Sequence, residues 1–280
     1  MTGMIDVGGG MKAIFACGVF DYCLDHGVTF DLHIGVSAGS ANLASFLANQ
    51  RGRSYRFYME YAMRKEYMSV SNLLRSGSYL DLDYIYGTLS NADGENPVDY
   101  EALSRTKGDL LVVATDAGSG KPVYFDRSQV HQDDYRIFMA SSALPIACRP
   151  YPIDGVLYFD GGLSDPIPVQ RALEAGCDKL VVLLSRPKNY WRRAKKDLLP
   201  AKLLHHKYPQ AAQALRLRYQ TYNNQLALAR KLEREGKLLI LAPESLEGIK
   251  TLTRAPEKLQ PLYDEGYRAA ERIAPFLSLG

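Results

Sequence analysis

Six short apolar runs punctuate the chain, at residues 4–7, 31–36, 110–115, 157–159, 179–184 and 238–242. Each has strand length. The runs at 110–115 and 179–184 are continuous rather than alternating, as in a sheet covered on both faces. Between them the apolar residues change to helical spacing. That spacing predicts helices over 11–26 (with Gly27 as a natural stop), from Ser37 to about Asn49, and over 53–75. Further helices are predicted over 99–105, from Asp133 or Asp134 to Ser142, over 166–176, through most of 190–235, and over 257–277. Residues 76–108 otherwise carry turn signals, and Gly118-Ser119-Gly120-Lys121 reads as a hairpin turn. Strands alternating with helices predict an α/β sandwich with a largely parallel central sheet. No internal repeat is visible, and the chain is expected to form a single domain over 1–280.

Composition narrows the class. The 280 residues are 46% hydrophobic, enough for a substantial core. No run approaches the roughly 18 apolar residues of a membrane span, and the first residues lack the basic and apolar regions of a secretory signal. Cys17, Cys23, Cys148 and Cys177 show no C-x-x-C spacing and read as reduced core thiols of a cytoplasmic protein.

Net charge is only +3 but uneven. Residues 186–237 hold 14 Lys/Arg against Asp197, Glu233 and Glu235, a local +11 that leaves −8 for the rest. This segment is either a solvated helical face or a peripheral contact with an anionic membrane, where Trp191 suits the interface. Nucleic acid is not expected, since no recognised binding module accompanies the charge.

Gly35-Val36-Ser37-Ala38-Gly39 is a G-x-S-x-G pattern between a predicted strand and a predicted helix. In that context the serine of such a pattern is a nucleophile on a strained turn, and Gly35 and Gly39 let strand and helix approach. Gly8-Gly9-Gly10 lies between the first strand and first helix, where backbone N–H groups can face a developing negative charge. A dinucleotide fingerprint is the rival there; it would place Ala13 at the third glycine and Asp31 at the ribose acid. It leaves Ser37 and Asp160 without a task. The 118–121 turn lacks the first glycine and the Ser/Thr of a P-loop, having Thr115 and Pro122 there.

Ser37 needs a base. His33 precedes it by four residues on the strand, and His205 and His206 lie in the basic segment without an acid at a suggestive position. His26 and His131 complete the set, and a Ser–His–Asp triad is not supported. Asp160-Gly161-Gly162 follows a strand and offers a carboxylate able to act on a serine directly. A tight Asp-Gly turn explains the same residues equally well.

Three features in this order resemble the patatin-like phospholipase family: Gly8-Gly9-Gly10-Met11-Lys12, Gly35-Val36-Ser37-Ala38-Gly39 and Asp160-Gly161-Gly162. Similar stretches are Val112-Val-Ala-Thr-Asp116, Ala140-Ser-Ser-Ala-Leu-Pro145 and Asp165-Pro-Ile-Pro168, so the resemblance covers roughly 4–185. It implies a three-layer α/β/α sandwich and a Ser–Asp dyad without histidine, with Ser37 as nucleophile and Asp160 as base. Gly8, Gly9, Gly10 and Ala38 would supply oxyanion donors, and no cofactor or metal would be needed. The implied activity is hydrolysis of lipid acyl esters through an acyl-enzyme; the alternative is a non-catalytic lipid or acyl-chain binding protein on the same fold. Lys12 stands where the family often has Arg, and Lys12 and Arg149 are the expected phosphate-binding residues. Asp165 stands where the family often has Asn, adding a second carboxylate that bears on the pKa of Asp160. Residues 53–100, rich in tyrosine and methionine, are the expected place for any lid.

Overall fold

A computed structural model describes residues 1–278. Its strands are β1 (Thr2–Asp6), β2 (Leu32–Val36), β3 (Asp109–Asp116), β4 (Pro122–Asp126), β5 (Tyr151–Ile153), β6 (Val156–Asp160), β7 (Lys179–Leu183) and β8 (Leu238–Leu241). They form one sheet in the order β5-β6-β3-β2-β1-β7-β8, with β4 also paired to β3. The run from β3 to β8 is parallel throughout. β4 and β6 run antiparallel to β3. The hairpin turn at 118–121 therefore joins β3 to β4 as predicted, whereas β4 and β5 are short and each contains a proline, so neither registers as a strand.

The helices are α1 (Ile14–Asp25), α2 (Ala38–Leu47), α3 (Arg53–Met59), α4 (Val70–Ser76), α5 (Tyr100–Arg105), α6 (Arg136–Ser142), α7 (Val169–Glu174), α8 (Lys195–Leu204), α9 (Pro209–Arg234), α10 (Pro256–Ala269) and α11 (Ile273–Ser278). Alternation along the inner strands divides them between two cores. Met4, Val112, Val181 and Leu239 point into a core with α1, α2, α6 and α10. Ile5, Val113, Val182 and Ile240 point the other way, toward α7 and α9. The result is a three-layer α/β/α sandwich with a mostly parallel sheet. α1 and α10 pack backbone to backbone, because a Cβ on Gly18 would lie 2.1 Å from the Tyr263 carbonyl oxygen and one on Gly266 would lie 1.9 Å from that of Phe15.

Three predicted helices are broken; the one over 257–277 is interrupted by a 3-10 turn at Ala270–Arg272 between α10 and α11. Residues 53–75 split into α3, a 3-10 turn at Tyr61–Met63 and α4. The chain is extended at Arg64, and α4 restarts at Ser69, whose hydroxyl accepts the Asn72 amide. Residues 190–235 split into α8 and α9, with Pro209 in the first turn of α9. A π-helical turn at Tyr84–Leu89 carried no sequence signal.

Candidate active site

Register brings the sequence motifs together. β1 pairs with β2 so that Asp6 lies beside Gly35, and β2 with β3 so that Val36 lies beside Val113. Two steps further along the first ladder bring Gly8 level with Ser37, and one step further along the second brings Ser37 level with Ala114. Ala114 in turn pairs with Asp160 on β6. The glycine run, the serine and the aspartate thus meet at the carboxyl ends of neighbouring strands, the usual crevice of open α/β sheets.

Ser37 leaves β2 with φ 57° and ψ −134°, a left-handed conformation that costs a non-glycine residue about 1–3 kcal/mol. Neighbours enforce it. A Cβ on Gly35 would come within 2.4 Å of Ser40 Cα, and one on Gly39 within 2.4 Å of the Asp6 carbonyl oxygen, so β1, β2 and α2 close on one another only with glycine at both positions. The Ser37 amide donates to Ser141 Oγ at 2.9 Å, and that hydroxyl donates to the Val113 carbonyl at 2.6 Å. Ser141 therefore ties the elbow to β3.

Asp160 ends β6 and is buried. Its Oδ1 accepts the Gly162 amide at 2.8 Å, while Oδ2 has no hydrogen-bond partner among the described residues. Burial pushes its pKa above the usual carboxylate range; the Arg218 guanidinium, the nearby Ser37 hydroxyl and the Gly162 amide pull it back in part. Asp165 does not figure among these influences. Tyr124 and Gln225 hold its two oxygens, each at 2.5 Å.

Gly8, Gly9 and Gly10 have φ of 64°, 116° and 63°, and added Cβ atoms would strike the Val36 carbonyl oxygen, Ser185 Oγ and the Thr251 carbonyl oxygen within 2.2–2.3 Å. Only glycine fits this loop. Its three amides are not equivalent. The Gly8 amide donates to Asp6 Oδ1 at 2.9 Å and is not free to stabilise an oxyanion, a correction to the four-donor expectation. The amides of Gly9, Gly10 and Ala38 meet no acceptor among the described residues.

Two cavities meet at Ser37. One is apolar, lined by Met11, Phe57, Tyr58, Leu80, Ile85, Tyr86 and Leu252 among others. Much of its wall comes from residues 53–90, where a lid was expected. The other is polar, about 150 Å³, lined by Gly9, Gly10, Lys12, Ser37, Asp160, Arg186, Arg192 and Arg218 among others. Lys12 lies in this second cavity, but Arg149 does not. Arg149 is exposed, its guanidinium packed on Gly77 at the end of α4. No histidine lines either cavity. His33 is buried between Phe30 and Phe46 with its pKa lowered by burial to about 4, and His205 and His206 are exposed at the end of α8. Among the described residues no three His, Cys, Asp or Glu side chains form a metal-ligating group.

Sequence reasoning missed Asp6, Asn42, Ser141 and Arg218. Asp6 carried a faint signal, an acid closing an apolar strand just before the glycines. Arg218 carried none beyond belonging to the basic segment.

A family model described as patatin-like phospholipase matches residues 7–173, and one described as a domain of unknown function (DUF6363) matches residues 208–277. The chain is 31% identical over 195 residues to the uncharacterized protein YjjU of Escherichia coli (strain K12), covering 64% of this chain and 50% of that protein. It thus spans about half the length of that curated relative. The crystal structure of VipD from Legionella pneumophila superposes with a TM-score of 0.51 at 16% identity, over 98% of this chain and 66% of that one, a likeness of fold.

Proposed function

Because the chain belongs to the patatin-like phospholipase family, we propose that it hydrolyses lipid acyl esters with Ser37 as nucleophile and Asp160 as its base. The observation that carries this reading is that Asp160, whose buried Oδ2 has no hydrogen-bond partner among the described residues, lines the same cavity as Ser37. Asp160 takes the Ser37 proton as the hydroxyl attacks the ester carbonyl. Its raised pKa improves it as a base near neutral pH. The amides of Gly9, Gly10 and Ala38 receive the developing oxyanion; one such donor is typically worth about 3–4 kcal/mol of barrier. The tetrahedral intermediate collapses to an acyl-Ser37 ester, and the alcohol leaves with the proton. Water, deprotonated by Asp160, then hydrolyses the acyl-enzyme. The apolar cavity takes the acyl chain.

The test is hydrolysis of p-nitrophenyl butyrate together with labelling by a fluorophosphonate. Both are expected in the native protein and absent in Ser37→Ala. No turnover and no labelling, with saturable fatty-acid binding, would instead make this a non-catalytic acyl-chain binder on the same fold.

The same reading includes contact with an anionic membrane through α8. Asp197, Ala201 and Leu204 turn inward, while Leu198, Leu199 and Leu203 are 49%, 65% and 60% exposed and Trp191 62%. Lys195, Lys196 and Lys202 flank these leucines, and each basic residue near an anionic surface contributes about 1 kcal/mol. Among the described residues no helix is long and apolar enough to cross a membrane. Co-sedimentation with vesicles containing phosphatidylglycerol, weakened by Leu199→Glu and absent with pure phosphatidylcholine, is the expected result.

A further inference from the structure

The polar cavity beside Ser37 gathers four cationic side chains, Lys12, Arg186, Arg192 and Arg218. Buried cations are normally paired with carboxylates; here Lys12 and Arg192 are buried and Arg186 and Arg218 partly so, yet three of the four form no ion pair among the described residues. Lys12 is buried, and among the described residues its Nζ has one hydrogen bond, to Thr251 Oγ1 at 3.4 Å. Arg218 Nε is buried with no partner, and Arg186 stacks on the Tyr190 ring with no carboxylate within ion-pair distance among the described residues. Among the described residues only Arg192 has an ion pair, with Asp197 at 2.7 Å.

Two carboxylates therefore oppose four cations, and one of the two, Asp160, has its charged form disfavoured by burial. The cations repel one another. Burial together with Arg186, Arg218, Arg192 and Lys196 lowers the Lys12 pKa to about 7, and burial together with Arg192 and, more weakly, Arg186 lowers that of Arg218 to about 10 against the opposing pull of Asp160 and Asp197. Like charges are being held around a void, an arrangement that an anion in the void would relieve. A phosphate group suits it. It carries up to about two negative charges and several acceptor oxygens, and guanidinium groups meet those oxygens in a fixed fork geometry.

We propose that this cavity binds the phosphate of the ester substrate and so selects anionic, phosphate-bearing lipid esters over uncharged ones. The proposal rests on Ser37 being the nucleophile. Ser37 lines both cavities, so an ester carbonyl held there places its acyl chain on the apolar side and its phosphate among the cations. Arg186, Arg192 and Arg218 all lie beyond residue 173, outside the patatin-like match. The segment that follows the family region, through the loop after β7 and through α9, thus supplies the selectivity.

Two measurements test this. The first titrates glycerol 3-phosphate into the Ser37→Ala protein by calorimetry, alone and with Arg186→Ala or Arg186→Lys added. Saturable binding is expected, weakened at least about tenfold by Arg186→Ala, the worth of one charge-assisted hydrogen bond, and partly restored by Arg186→Lys. The second measures kcat/KM for a monomeric lysophosphatidic acid and for p-nitrophenyl butyrate. Arg186→Ala is expected to lower the ratio of the two by a similar factor. Arg186 is only partly buried, so its truncation leaves the core filled; an unchanged urea midpoint checks that the variant folds.

No glycerol 3-phosphate binding and an unchanged ratio would overturn the proposal while leaving the hydrolase reading intact. Inorganic phosphate binding as tightly as glycerol 3-phosphate, with the ratio unchanged, would make the cavity a free-phosphate site and equally overturn it. Binding without turnover of either ester would sink the nucleophile assignment, and the headgroup role with it.

Discussion

Asp6 holds the amide of Gly8 at 2.9 Å from a carboxyl that is itself buried, and its second oxygen accepts Asn42 Nδ2 at 3.0 Å. Asn42 stands on α2, one turn beyond the elbow. One buried acid therefore fixes the glycine loop against the helix that Ser37 begins. These bonds do not offset its burial, and its pKa rises to about 7.

This makes stability depend on pH. A carboxyl whose folded pKa is raised favours the protonated form when folded. Its contribution is full below the unfolded value near 4 and is lost as pH rises through about 7. The native protein should lose about 4 kcal/mol from this group between those limits. Asp6→Asn keeps an acceptor for Gly8 and cannot ionise, so its unfolding free energy should fall less from pH 5 to pH 8. Urea titrations at the two pH values measure it; parallel losses in both proteins would show that Asp6 does not titrate in this range.

Ser37→Gly separates strain from chemistry. Glycine adopts the positive φ at no steric cost, so the variant should be about 1 kcal/mol more stable. It should also lose ester hydrolysis completely. A lower unfolding midpoint would mean that the elbow is not strained.

The proposed base is tuned by Arg218, whose charge favours the Asp160 carboxylate. Removing that charge with Arg218→Met should raise the Asp160 pKa further and move the acid limb of kcat/KM for p-nitrophenyl butyrate to higher pH. A limb at the same pH in both proteins would place another group in the role of base.

His206→Ala should leave kcat/KM for the same ester within about twofold, as expected of a surface substitution remote from the site. His206 is exposed and lines neither cavity. A loss of a hundredfold or more would restore a histidine to the mechanism and remove the dyad.

Gly35→Ala should destabilise by roughly 2–4 kcal/mol, since the new Cβ meets backbone that cannot yield without parting β2 from α2. The urea midpoint reports this directly. A change below about 0.5 kcal/mol would mean that the strand and helix are not locked together there.

The sequence by itself determined what is local. Apolar runs and helical spacing located six strands and most helices, because burial on a strand or helix imprints a period of its own. Gly8-Gly9-Gly10, Gly35, Ser37 and Asp160 were legible as motifs, since glycines and a serine on a tight strand-to-helix turn are chosen for backbone geometry at one place in the chain. What those residues face was decided by the tertiary structure. Strand order and register place Ser37 and Asp160 on either side of β3, at the same end of the sheet, despite their separation in sequence. Packing commits the Gly8 amide to Asp6, sends Arg149 to the outside and brings Arg218 from α9 against Asp160. Lys12 and Arg149 looked equivalent as basic residues near motifs; only burial and the direction of each side chain distinguish them. Such relationships depend on contacts between distant segments, which no local pattern records.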